Sequence, residues 1–162
     1  HSLGDHTETL QIDYDPAKVS YRDLLDIFWK SHNPVRSAGS RQYMAAVFFD
    51  GEKQRIQAEA SKEETEARMK AAVKTRILPL NAFYLAEGYH QKYMLRRSKT
   101  LITAFQDIYP TTQGLVDSTA AARVNGYLGG HGGCARLKEE IRELGLPEDA
   151  SRYLLRSVCR GS

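Results

Sequence analysis

Residues 44–80 read MAAVFFDGEKQRIQAEASKEETEARMKAAVKTRILPL, and the reading of this stretch decides the fold. Met44–Phe49 is a continuous apolar run that stops at Asp50-Gly51. That pattern predicts a buried strand followed by a turn. Glu52–Lys74 is rich in Ala, Glu, Lys and Gln and contains neither Pro nor Gly, which predicts a long surface helix. Thr75–Leu80 returns to strand character, with Pro79 marking its end or an edge.

Working outward, Thr9–Tyr14 alternates, with Leu10, Ile12 and Tyr14 on one face and Gln11 and Asp13 on the other. Period two predicts a half-buried strand, ended by Asp15-Pro16. Ser20 has the chemistry of an N-cap and Asp23 stands at the capping-box position. Tyr21, Leu24, Leu25 and Phe28 fall at helical spacing, so Ser20–Lys30 is predicted as helix and Ser31–Arg41 as loop. Toward the C-terminus the pattern is helical. Phe83–Leu95 reads mostly as helix, although Gly88 costs it about 1 kcal/mol relative to alanine. Leu101–Tyr109 is a further helix stopped by Pro110, and Leu115–Leu128 is an Ala-rich one broken by Gly129-Gly130-His131-Gly132-Gly133. Cys134–Cys159 holds two short helices separated by Gly145-Leu146-Pro147.

Strands and helices alternate in the first half and helices follow alone. The pattern predicts an α+β fold, a two-layer sandwich with a mixed sheet and a helical C-terminal extension. The domain division it suggests is 1–110 for the sandwich and 111–162 for the extension.

The totals bound the function. A chain of 162 residues can bury one ordinary core. It has no apolar run of membrane-span length, so no membrane partner is expected. The net charge of +3 is a small basic excess. Its one local cluster, Arg96-Arg97-Ser98-Lys99, reads as a solvated helix end, so no nucleic-acid partner is expected. Cys134 and Cys159 are too few for a disulfide framework and lack zinc spacing. A reducing compartment, the cytoplasm, is the default, while two thiols could also form one bridge in catalysis. His6, His32 and His90 have no metal-ligand spacing. GYLGGHGG lacks the Lys-Ser/Thr ending of a phosphate loop and does not follow a strand.

Four blocks in order carry a resemblance. DHTETLQIDYDP, VSYRDLLDIFWKSHNP, RQY before a strand, and FYLAEGYHQKY together resemble the methionine sulfoxide reductase A family over roughly residues 3–95. LGDHTE and the tail DSTAAARVNGYLGGHG are similar to one branch of it. The resemblance implies thiol-dependent reduction of methionine-S-sulfoxide, free or in proteins, to methionine, with no metal or organic cofactor. A cysteine thiolate attacks the sulfoxide sulfur and becomes a sulfenic acid. A second thiol resolves it, and thioredoxin or another dithiol reductant restores the enzyme.

Residue by residue, Glu8 matches the family glutamate that hydrogen-bonds and protonates the sulfoxide oxygen. A carboxyl kept neutral by an apolar pocket can do this at neutral pH. Tyr43 matches the tyrosine of the Gln-Tyr motif, a second donor to the same oxygen. His6 is expected to order the turn and Asp5 to cap it, while Tyr89 and His90 match a block read as structural. Cys134 opens a helix after GGHGG, where the helix dipole favours a thiolate, and is the candidate resolving thiol. Cys159 is a weaker candidate.

The departures are as specific. The family's Gly-Cys-Phe-Trp nucleophile motif does not occur in these residues and is expected upstream of His1, with a Gly-Tyr-x-Gly-Gly segment. A sheet without that segment is expected to expose an edge. The Gly-Asn-Asp stretch before Gln-Tyr is shortened to Ser37–Arg41, and Gly88 stands where the family commonly has aspartate. The alternative reading is a truncated, catalytically inactive reductase-like protein serving as a binding module or isoform.

Overall fold

The computed structural model describes residues 6–160. They form two compact units divided between Phe83 and Tyr84. The class is α+β, about half helix with a small sheet.

The N-terminal unit holds α1 (Tyr21–Lys30), β1 (Ala46–Phe49), α2 (Glu52–Met69) and β2 (Arg76–Pro79). Its two strands pair in parallel, with Ala46 opposite Arg76 and Phe49 opposite Pro79. A parallel pair needs a long crossover, and α2 is that crossover. Among the described residues each strand has the other as its only strand partner. The capping box of α1 forms as expected: Ser20 Oγ accepts from the Asp23 N–H, and Asp23 accepts from the Ser20 N–H at 2.9 Å. Leu25 and Trp29 on its inner face pack with Ala58 and Val73, flanked by Phe28, Val47 and Ile77.

Helix α2 is less of a surface helix than its composition suggests. Ala58, Ser61 and Thr65 are buried at i, i+3, i+7 spacing. Small side chains let the helix approach Trp29, and every hydroxyl is satisfied. Trp29 Nε1 donates to Ser61 Oγ at 3.0 Å, Ser61 Oγ donates to the Ala58 carbonyl at 2.8 Å, and Thr65 Oγ1 donates to the Ser61 carbonyl at 2.9 Å. The helix stops at Met69 rather than Lys74, because Lys70 turns left-handed at φ 52°. The chain then returns through Val73 and Thr75, both buried. His32 braces this return: its Nδ1 lies 2.8 Å from the Phe28 carbonyl and its Nε2 2.9 Å from Thr75 Oγ1.

Two sequence expectations fail for lack of a partner surface. Thr9–Tyr14 is not a strand. Leu10 is 81% exposed and Ile12 52%, so the alternation has nothing to pack on and no strand to pair with among the described residues. Phe83–Leu95 is not mostly helical: the chain is extended or turning until α3 (Tyr93–Arg96). Gly88 explains part of this. A Cβ there would meet Thr112 Cγ2 at 2.8 Å, so the backbone uses glycine for close approach instead of continuing a helix.

The C-terminal unit is helical: α3, α4 (Lys99–Ile108), α5 (Thr112–Asp117), α6 (Thr119–Leu128), α7 (Gly133–Glu140), a 3₁₀ turn (Ile141–Leu144) and α8 (Glu148–Val158). The expected single helix over Leu115–Leu128 is two, because Ser118 caps α6 by accepting from the Ala121 N–H at 3.1 Å. Leu95, Leu101, Phe105, Leu115, Val124, Leu137 and Leu154 form the core. One buried carboxylate lies in this unit. Glu140, 6% exposed, accepts from the Tyr127 hydroxyl and from Arg123, with Arg136 at 3.4 Å. Burial alone would push its carboxyl up; the Tyr127 hydroxyl and the two guanidinium groups outweigh that and hold it below the usual carboxylate range. Tyr127 is pushed up to about 12, first by burial and then by the Glu140 charge.

Candidate active site

Glu8 and the Arg41-Gln42-Tyr43 tripeptide lie 34 residues apart in sequence and meet in the N-terminal unit. The contact is two-way. The Glu8 N–H donates to the Gln42 carbonyl at 3.0 Å, and the Gln42 side-chain amide donates to Glu8 Oε1 at 2.8 Å. Thr7 Oγ1 adds a third bond, to the Arg41 carbonyl at 3.2 Å. The extended segment therefore runs along the loop that enters β1, and the Glu8 carboxyl is held on the residue next to Tyr43. Gln42 was missed as a functional residue by the sequence reading, although it stands inside the motif that singled out Tyr43. Its side-chain amide donates to the Glu8 carboxyl, so among the described residues Gln42 is the one that orients it.

The surroundings are open. Glu8 is exposed and Tyr43 is 65% exposed. Raising the proton affinity of a carboxyl takes desolvation, and the described residues do not supply the apolar pocket that the resemblance implies. A hollow of about 360 Å³ shares Arg41 with this contact and carries Arg36, Lys74 and Arg76 on its wall, with no carboxylate. His6 lies in a bend, while Asp5 lies outside the described residues.

The remaining candidates belong to the C-terminal unit. Tyr89 and His90 are exposed, with ring centroids 4.2 Å apart. Cys134 is the second residue of α7, as its position after GGHGG predicts. It is bonded to Cys159, the C-cap residue of α8, with the Cα atoms 5.0 Å apart. The bridge joins the N-terminal end of one helix to the C-terminal end of another. The preceding glycines serve backbone geometry: Gly132 has φ 90°, and a Cβ there would strike the Tyr127 ring at 2.7 Å.

Comparison with known proteins agrees with these residues. The peptide methionine sulfoxide reductase family model matches residues 2–122. A peptide methionine sulfoxide reductase of Drosophila melanogaster is 40% identical over 153 residues, 93% of this chain and 61% of the relative. Peptide methionine sulfoxide reductase A5 of Oryza sativa subsp. japonica is 36% identical over 132 residues, 78% of this chain and 51% of the relative. The MsrA protein of Methanosarcina acetivorans is 39% identical over 99 residues, 57% of this chain and 53% of the relative. The chain thus belongs to the peptide methionine sulfoxide reductase family. It spans about half to three-fifths of the length of these relatives.

Proposed function

We propose that the protein to which these residues belong reduces methionine-S-sulfoxide, in proteins or free, to methionine by thiol chemistry. Family membership supports the reaction class. The single observation that carries the reading to residues is the two-way contact of Glu8 with Gln42, the residue that precedes Tyr43 in the chain. A sulfoxide oxygen leaves only when protonated, so the reaction needs proton donors at that oxygen and a thiolate at sulfur. Glu8 and Tyr43 are the donors in this reading.

The nucleophile belongs to the Gly-Cys-Phe-Trp motif, which is not among the 162 residues. Its thiolate bonds to sulfur, the protonated oxygen leaves the methionine sulfur and becomes bonded to the cysteine sulfur as a sulfenic acid, and the bond between the two sulfurs breaks to release methionine. Cys134 condenses with that sulfenic acid, releasing water and leaving a disulfide. Thioredoxin or another dithiol reductant then supplies two electrons, in the cytoplasm. Cys134 can act only once its bridge to Cys159 has been opened.

The experiment is a turnover assay of the natural protein on a methionine sulfoxide peptide with dithiothreitol. Stoichiometric formation of methionine supports the reading. A protein of full natural mass that leaves the peptide oxidised overturns it in favour of a binding role.

A further inference from the structure

The two sulfurs of the Cys134–Cys159 bridge are not equivalent. Cys159 lines a shallow hollow of about 380 Å³ whose other walls are Leu155, Lys138, Arg156 and Arg160. Cys134 is not on its wall. Among the described residues on its wall, three of five are cationic and none is acidic. Lys138, Arg156 and Arg160 are exposed, and none makes an ion pair among the described residues. The chain as a whole carries only +3, so this hollow is a concentrated positive field at one residue of the disulfide, Cys159.

The helices add an independent asymmetry. Cys134 sits in the first turn of α7, among backbone N–H groups that favour a thiolate. Cys159 caps the C-terminal end of α8, where the backbone carbonyls disfavour one. Thiol–disulfide exchange runs fastest when the attacked sulfur is accessible and the departing sulfur is the better-stabilised thiolate. The hollow selects Cys159 as the point of entry and the helix ends select Cys134 as the leaving thiolate. The cations around Cys159 would favour a thiolate there too, and the carboxylates of the entering thiol neutralise them.

We infer that Cys159 is the sulfur at which a small, carboxylate-bearing thiol enters the bridge, and that Cys134 is the leaving thiolate. The incoming thiolate bonds to Cys159 Sγ, the bond between the two cysteines breaks, and its electron pair leaves on Cys134. A second thiolate attacks the mixed disulfide, releasing the oxidised small thiol and the Cys159 thiolate. Two thiols are oxidised and one protein disulfide is reduced. Lys138, Arg156 and Arg160 select the anionic reductant by holding its carboxylates. The inference needs only the bridge and stands or falls separately from sulfoxide reduction.

The test uses the oxidised 162-residue chain with glutathione as the anionic thiol and cysteamine as the cationic one. Each rate of bridge opening is divided by the same thiol's rate on a small neutral disulfide. The expected result is a preference for glutathione of about fivefold at low salt, fading as ionic strength rises. It should vanish in the Lys138→Glu/Arg156→Glu chain, while acid-trapped adduct in the unaltered chain maps to Cys159. An adduct on Cys134, an absent or salt-independent preference, or a chain whose two cysteines are not bonded to each other would overturn the inference. The salt titration needs no substitution, so a double variant that misfolds does not rescue it.

Discussion

The Gln42 side-chain amide donates to Glu8 Oε1 at 2.8 Å while the Gln42 carbonyl accepts from the Glu8 N–H at 3.0 Å. One residue thus fixes both the backbone and the carboxyl of Glu8, and it is the residue that precedes Tyr43 in the chain. The contact joins the loop before β1 to a segment without regular structure, so its geometry rests on few bonds. In the active protein, Gln42→Ala should lower kcat for sulfoxide reduction by about tenfold or more, the worth of one hydrogen bond to a charged group. Its thermal midpoint should stay within a few degrees of the unaltered protein. A steady-state assay beside a melting curve separates the two effects; an unchanged kcat would remove Gln42 as a positioning residue.

The buried Trp29–Ser61 bond makes a stability prediction for the N-terminal unit. Ser61→Ala leaves the indole N–H buried without an acceptor, which should cost about 1–3 kcal/mol. Trp29 is the only tryptophan, so urea unfolding followed by its fluorescence reports the loss directly. A midpoint equal to that of the unaltered chain would mean that the indole finds another acceptor.

The bridge closes a loop whose ends are 25 residues apart. Loop-closure entropy for that length is worth roughly 3.5 kcal/mol at most. Reduction with dithiothreitol should therefore lower the denaturant midpoint of the C-terminal helical unit, read by circular dichroism. The Cys134→Ser/Cys159→Ser chain should match the reduced protein and no longer respond to reductant.

The Glu140 cluster contributes to both pH flanks of that unit. The Glu140 carboxyl is held below the ordinary range in the folded state, so its contribution is complete above the unfolded value of about 4.3. It is lost as pH falls through the lower folded value. Tyr127 is pushed up to about 12, so its contribution is complete below about 10 and is lost as pH rises from there toward 12. The cluster's contribution to stability against urea should be flat between these limits and fall outside them. Glu140→Gln should blunt the acid flank. A profile identical to that of the unaltered chain would assign acid sensitivity elsewhere.

Local chemistry was legible in the sequence wherever the interaction itself is local. Ser20 and Asp23 wrote their capping box three residues apart, and Gly145-Leu146-Pro147 wrote the break before α8. Strand, helix and strand over 44–80 follow their composition, although Lys70 ends the helix early. What failed depended on distant surfaces. Leu10 and Ile12 alternate like a strand but have no facing surface among the described residues, and FYLAEGYHQKY needed Thr112 to explain its glycine. The meeting of Glu8 with Gln42 could be anticipated only through the family's motifs, since nothing in the spacing of residues 8 and 42 predicts a contact. A bridge between the two thiols was an option the composition already offered, but whether Cys134 and Cys159 meet is set by how α7 and α8 pack.

The most direct measurement is epimer-resolved consumption of methionine sulfoxide by the natural protein and its Glu8→Gln variant, with dithiothreitol as reductant. The account predicts that only the S epimer disappears and that the variant slows at least about a hundredfold, the scale of a lost general acid. Equal rates for the two proteins, or an untouched S epimer with the natural protein, would contradict it.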